Sequence, residues 1–232
     1  MMEMIQMHVI ARMHSDFDTK FGVPRQSDLV PDLKSTIVFE KEYRDENMLR
    51  GLEQFTHLWL IWLFSENPAG EWKPTVRPPR LGGNARVGVL ATRSPFRPNP
   101  VGLSCVRLGG VRRDPKQGWV IDVYGADLVN GTPIIDIKPY IPYTDIRSDA
   151  SGGFTDAVRF HTLNVVISDD LRKRVPKDKQ SALIGVLQQD PRPSYQDDPD
   201  RVYGISFAGM NVRFRVAGDV LTVIEIQNAA VD

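Results

Sequence analysis

The sequence of 232 residues contains one cysteine, Cys105. A single thiol excludes an internal disulfide and any zinc site built on paired cysteines. It predicts a reducing compartment, the cytoplasm. Long hydrophobic runs are also missing. The longest reaches only from Leu58 to Phe64, whereas a membrane helix needs about 20 apolar residues. The opening segment, MMEMIQMHVIARMHSD, has no basic stretch leading into an apolar one, which predicts no signal peptide. Net charge is absent too, with 29 basic and 29 acidic side chains. No GxGxxG, Walker loop, HExxH, CxxC or GxSxG occurs, so dinucleotide folds, P-loop enzymes, zinc proteases and serine hydrolases lack support. His8, His14, His57 and His161 are scattered, and no metal site is predicted.

The zero net charge conceals an asymmetry. Residues 71–113 carry nine cations and one acid, and eight of the cations are arginines. The flanking segments 1–70 and 114–157 are each acidic. Arginine suits planar, bidentate phosphate recognition, so this stretch either seeks a polyanion or pairs with carboxylates elsewhere in the fold. The composition favours the polyanion.

Short strands dominate the pattern. Strands are predicted over 7–13, 35–43, 55–64, 85–92, 101–111, 118–125 and 132–137, with a helical stretch at 44–54. The run FTHLWLIWLF at 55–64 reads as a strand buried on both faces, with His57 a core histidine. Cys105, inside VGLSCV, reads as a buried, inert thiol. Turns rich in glycine and proline, with little helix between strands, predict a mostly antiparallel barrel or sandwich. A loop at 148–157 divides residues 1–148 from 149–232. The second part reads as a small α+β unit. Its best helix spans 178–189 and stops at Pro191, and two or three strands follow over 202–226. So small a unit is expected to pack on the first part or on a partner subunit.

Three stiff polar clusters stand out. Pro24, Arg25 and Gln26 form a proline-fixed turn. Residues 77–104, RPPRLGGNARVGVLATRSPFRPNPVGLS, hold arginines at fixed spacing in a proline- and glycine-rich loop. In DLVNGTPIIDIKPY at 127–140, a carboxylate precedes a turn with free amides and then a strand. Each cluster alone is compatible with turn chemistry; three together point to a ligand site.

These segments, with QDPRPSY (189–195) and NVRFRV (211–216), resemble the TsaA/YaeB, or TrmO-like, family of tRNA methyltransferases over nearly the whole chain. The resemblance implies an antiparallel β-barrel that binds S-adenosylmethionine without a Rossmann fold, generally as a homodimer. It implies methylation of N6 on the threonylcarbamoyl-adenosine 3′ of the anticodon, notably in threonine tRNA. By similarity, Pro24, Arg25, Gln26, Ser65, Glu66, Arg93, Leu103, Asp127, Leu128, Val129 and Asn130 line the cofactor site. Relatives carry histidine where Ser65 stands and commonly aspartate where Asn130 stands. Arg77, Arg80, Arg86 and Arg97 are expected on tRNA phosphates, and Trp72 or Phe96 could stack on a base. Asp136 and Tyr140 are the candidate proton acceptors, although an Asp136–Lys138 pair would explain Asp136 equally well. Two other classes stay open: a barrel that binds RNA or a nucleotide without chemistry, and a methyltransferase acting on another substrate.

Overall fold

The computed structural model describes residues 5–66, 72–78, 81, 85–156, 162–192 and 198–229. Six strands carry the first part: β1 (Ala11–His14), β2 (Lys34–Phe39), β3 (His57–Leu63), β6 (Val101–Asp114), β7 (Gly118–Tyr124) and β8 (Pro133–Pro139). Their order is β1-β2-β7-β6-β3-β8, every pair is antiparallel, and β8 pairs back onto β1. The sheet therefore closes into a ring and leaves no free edge. A two-residue ribbon, β4 (Thr75–Val76) with β5 (Val87–Gly88), stands apart from it.

Alternation along the strands fills the ring. Leu58, Leu60 and Trp62 of β3 are buried and face Met13, Ile37, Val106, Ile121 and Ile134 in one apolar cluster. Burial on both faces of β3 is not what forms. His57, Trp59, Ile61 and Leu63 are only half-buried, because one face of a ring strand always points outward. Two more expectations change. Residues 44–54 form 3-10 turns, Glu46–Leu49 and Leu52–Gln54, and no α-helix. Asp45 caps the first turn, and the chain runs extended at Arg50 before the second begins. In 85–92 the strand lasts two residues and gives way to a turn, Val89–Ala91, closed by the Thr92 hydroxyl donating to the Val89 carbonyl at 2.8 Å.

After the ring come α1 (Pro142–Asp145), β9 (Asn164–Val166), α2 (Asp169–Arg172), α3 (Gln180–Gln188), β10 (Tyr203–Phe207), β11 (Met210–Ala217) and β12 (Val220–Asn228). The last three strands and β9 make a sheet in the order β10-β11-β12-β9, with β9 parallel to β12. Strict alternation in β11 buries Met210, Val212, Phe214 and Val216 against Ala182, Leu183, Val186 and Leu187 of α3. Phe17, Val30 and Leu33, from the segment between β1 and β2, belong to this second core. The small unit thus borrows part of its interior from the other half of the chain.

On the ring's outer face, Asp122 gathers Arg112 (Nε at 2.9 Å), Thr36 (Oγ1 at 2.8 Å) and Lys34 (Nζ at 3.2 Å). Burial pushes its carboxyl up, but the hydrogen bonds from Arg112, Thr36 and Lys34 prevail and hold it down to about 2. An unfolded aspartate titrates near about 3.9. The network therefore stabilises the fold fully above that value and loses its contribution as pH falls through the folded one. Lys34 and Arg112 are about half exposed, which limits the gain to roughly 1–2 kcal/mol. Asp122→Asn should lower stability in urea by that amount near neutral pH, with the gap to the parent protein narrowing between about pH 4 and 2. A gap that does not change with pH would contradict this account.

Candidate functional site

A cleft of about 620 Å³ opens at one end of the ring. Five pieces of chain meet there: the end of β3, the loop at 92–99, the start of β6, the turn between β7 and β8, and the tip of the segment between β1 and β2. Pro24, Arg25, Gln26, Ser65, Glu66, Arg93, Leu103, Asp127, Leu128 and Val129 all line it. Asn130 does not. Its N–H donates to the Phe17 carbonyl at 2.7 Å and its Oδ1 accepts from the Ser15 N–H at 3.4 Å, so it ties down the chain leaving β1.

The polar centre of the cleft is Asp127. The Ser104 hydroxyl donates to its Oδ1 at 2.6 Å, and the Trp62 indole N–H donates to the Ser104 Oγ at 3.0 Å. Burial raises the Asp127 carboxyl. The Ser104 hydroxyl, the backbone N–H groups of Asp127 and Ser27, and the charge of Arg93 oppose that rise. Neither Ser104 nor Trp62 is among the residues predicted from the sequence. The available signal was parity. Gly102, Ser104 and Val106 share the interior face of β6, and a hydroxyl there needs a partner. Gly102 is required as well, since a Cβ on it would lie 2.3 Å from the Trp62 ring.

The remaining walls are apolar or cationic. Trp62 and Phe64 meet edge to face at 4.4 Å between ring centroids, Pro24 and Leu128 are buried, and Leu103 is half exposed at the rim. An Arg93 N–H donates to the Gln26 side-chain carbonyl. The cleft thus offers a half-buried carboxylate, a cation and aromatic surface within one cavity.

A second hollow, about 1390 Å³, lies beyond Arg93. It shares Arg25, Gln26, Thr92, Arg93 and Pro95 with the cleft, so these residues form the wall between the two. Arg25, Lys73, Arg77, Arg86 and Arg93 line this groove, with no carboxylate among its lining residues. Arg77 and Arg86 have no ion-pair partner among the described residues. Phe96 lines it beneath Lys73, whose ammonium sits 5.4 Å from the ring centroid. Trp72 is half exposed. Gly152, Phe154 and Thr155, from the loop expected to be a mere linker, close the far side.

The arginines of 71–113 therefore divide. Arg112 pairs with Asp114 and Asp122, and Arg107 covers the Tyr124 ring at 4.2 Å; both are structural. Arg97 lines the cleft and not the groove, and its guanidinium donates to the Thr92 carbonyl at 3.1 Å. Arg80 lies outside the described residues. Asp136 and Tyr140 line neither cavity. Asp136 pairs with Lys138 at 2.8 Å, and the Tyr140 ring packs on Trp59 and His57. Burial pushes the Cys105 thiol up, which leaves it inert. Among the described residues no cluster of histidine, cysteine, aspartate or glutamate is arranged to hold a metal ion.

Comparison with known proteins adds the following. Residues 12–146 match the profile of the tRNA-methyltransferase O N-terminal domain, and residues 157–229 match that of the TrmO C-terminal domain. A tRNA (adenine(37)-N6)-methyltransferase of Escherichia coli K12 is 39% identical over 223 residues, which is 93% of this chain and 94% of that protein. A putative S-adenosylmethionine-dependent methyltransferase of Pseudomonas aeruginosa is 37% identical over 226 residues, 94% of this chain and 95% of the relative. A crystal structure of TrmO from P. aeruginosa superposes with a TM-score of 0.80 at 31% identity, covering 99% of each chain.

The hydrogen-bond chain in the cleft has a measurable consequence. Ser104→Ala removes a donor that favours the ionised carboxylate, so the Asp127 titration midpoint should rise further above the ordinary aspartate range. Carbon-detected NMR of the carboxyl follows it, and an unmoved midpoint would show that Ser104 does not hold the charge.

Proposed function

The chain belongs to the TrmO family of tRNA methyltransferases, and from that membership we propose that it methylates N6 of adenosine 37 in tRNA, with S-adenosylmethionine held in the cleft and the tRNA in the groove. The observation that carries this reading is the shared wall. A cavity of about 620 Å³ with a half-buried carboxylate adjoins a cation-lined hollow more than twice its size. Small-molecule sites run to roughly 300–1,000 Å³, so the first suits a cofactor and the second a larger polyanion.

The cleft residues fit the methyl donor chemically. Its ammonium and ribose hydroxyls need an acceptor, and Asp127 is a half-buried carboxylate held from behind by Ser104. Its carboxylate needs a cation, which Arg93 or Arg25 provides. Trp62, Phe64 and Leu128 offer an apolar bed, and backbone groups near Leu103 and Leu128 can meet an adenine edge. When bound, S-adenosylmethionine supplies an electrophilic methyl group. The protein's part is alignment. Gln26 and Arg93, joined by their hydrogen bond, stand where acceptor and donor meet, and orientation of that kind contributes much of the rate. Asp136 and Tyr140 line neither cavity, so the reading relies on positioning and not on a strong base.

The same reading extends to the substrate and the assembly. The acceptor is the threonylcarbamoyl-adenosine beside the anticodon, in threonine tRNA among others. Arg77 and Arg86 meet phosphates, with Arg25 and Lys73 beside them, and Phe96 or Trp72 meets an unstacked base. The ring is the family's barrel, with residues 1–148 as the cofactor-binding domain and 149–232 as the C-terminal one. Two copies associate through the half-buried outer face of β3, next to Leu103, which is 51% exposed. The setting is cytoplasmic; among the described residues no helix is long and apolar enough to cross a membrane.

Nucleoside mass spectrometry tests the reaction. Threonine tRNA incubated with protein and S-adenosylmethionine should gain one methyl on the modified adenosine. Asp127→Ala should give none at donor concentrations that saturate the parent protein. An unmodified nucleoside with the parent protein would leave the binding-module reading and that of a methyltransferase acting on another substrate. For the groove, Arg77→Ala/Arg86→Ala should weaken tRNA binding and reduce the slope of log affinity against log salt by about 0.7 to 0.9 for each phosphate that the protein no longer neutralises. An unchanged slope would remove this surface from the RNA track.

A further inference from the structure

The segment between β1 and β2 is held in one half of the molecule and works in the other. Its tip, Pro24 to Gln26, lines the cleft. Its legs are buried elsewhere: Phe17, Val30 and Leu33 are 0–2% exposed and lie in the core under α3, while no residue of this segment joins the apolar cluster inside the ring. Polar contacts repeat the pattern. The Asp16 carboxylate takes the Lys179 ammonium at 2.5 Å, and the Asp16 carbonyl accepts from the Ala208 N–H at 2.8 Å. Asp32 accepts from the Ser181 hydroxyl. Val30 presses on α3 so closely that its Cγ1 lies 2.7 Å from where a Cβ on Gly185 would be. The ring contributes backbone hydrogen bonds at Phe17, Asp28 and Leu33, the Arg107 guanidinium on the Pro31 carbonyl at 3.5 Å, and the Asp127 carboxylate, which accepts from the Ser27 N–H.

We infer that the C-terminal unit is a positioning element of the cofactor cleft. By clamping residues 16–17 and 30–33 against α3 and β10, it fixes the height of the tip and so brings Gln26 to Arg93. A loop with both legs set in a packed core keeps its tip at one position, whereas a loop tied only by backbone bonds at its ends samples many. Lys179 and Ser181 touch nothing in the cleft; they act through the segment. The alternative role for this unit, gripping RNA, makes the opposite prediction about which ligand is affected. The inference rests on the reading that the cleft takes the methyl donor, and the experiment separates the two.

The test uses full-length Lys179→Met, Lys179→Arg and Ser181→Ala, all assayed well below their unfolding midpoints. Lys179→Met should weaken S-adenosylmethionine binding about fivefold by calorimetry and raise its KM by the same factor, the range for changes that couple at a distance. Its kcat should fall as well, because Gln26 and Arg93 align donor and acceptor, while tRNA affinity should stay within about twofold, and Lys179→Arg should restore both donor affinity and kcat. Should Lys179→Met fail to fold, Ser181→Ala reads the same effect through a single hydroxyl, at roughly twofold. Unchanged donor affinity in the folded variants would overturn the inference, as would a loss confined to tRNA binding. A parent protein that binds no donor at all would bring down the functional reading itself, and this inference with it.

Discussion

Everything at the mouth of the ring depends on holding one half-buried carboxylate in place. Asp127 is pushed toward its neutral form by burial, and an unpartnered buried charge would cost several kcal/mol. The Ser104 hydroxyl and the Arg93 charge oppose that push, and Trp62 fixes the hydroxyl's direction by occupying its acceptor site. The close approach of Trp62 to the backbone of Gly102 is the steric condition for that chain. A strand face that otherwise fills an apolar core thus delivers a polar group to its last open turn. The same residues that close the interior define the floor of the cleft.

Charge is distributed to match. The cations that cluster along the sequence separate in space by job. Arg107 and Arg112 stiffen the outer wall of the ring, while Arg77, Arg86, Lys73 and Arg93 converge on the groove, with no acid among the described residues that line it. Arg93 belongs to both cavities, opposite Asp127 on one side and on the cationic face on the other. A small zwitterionic ligand and a polyanion can then share one boundary without competing for one pocket.

Much of this was legible in the sequence. Apolar runs bounded by glycine and proline turns located β3, β6, β7 and β8 to within a few residues, and Pro191 marked the end of α3. The three stiff polar clusters supplied most of the lining residues of the cleft. Other features depend on distance in the chain and leave no local trace. Ser104 reads as an ordinary strand serine until Asp127, from another strand's end, arrives beside it. Phe17, Val30 and Leu33 sit in a loop by pattern, and only the fold reveals which core they enter. β9 is three residues long and exists because β12 offers a parallel edge. Asp136 carried a chemical motif but faces Lys138, since a register shift between β3 and β8 sets it opposite the outward-facing Ile61, although Ile134, two residues before it, points into the ring.

The central claim is that the Asp127 cleft, and not the larger groove beside it, holds the methyl donor. The most direct measurement is a crystal structure of the protein soaked with S-adenosylmethionine. Electron density for the ligand between Asp127 and Arg93, with its sulfonium methyl turned toward the wall shared with the groove, is the predicted result. Density lying among Arg77, Arg86 and Lys73, or none anywhere at saturating concentration, would contradict it.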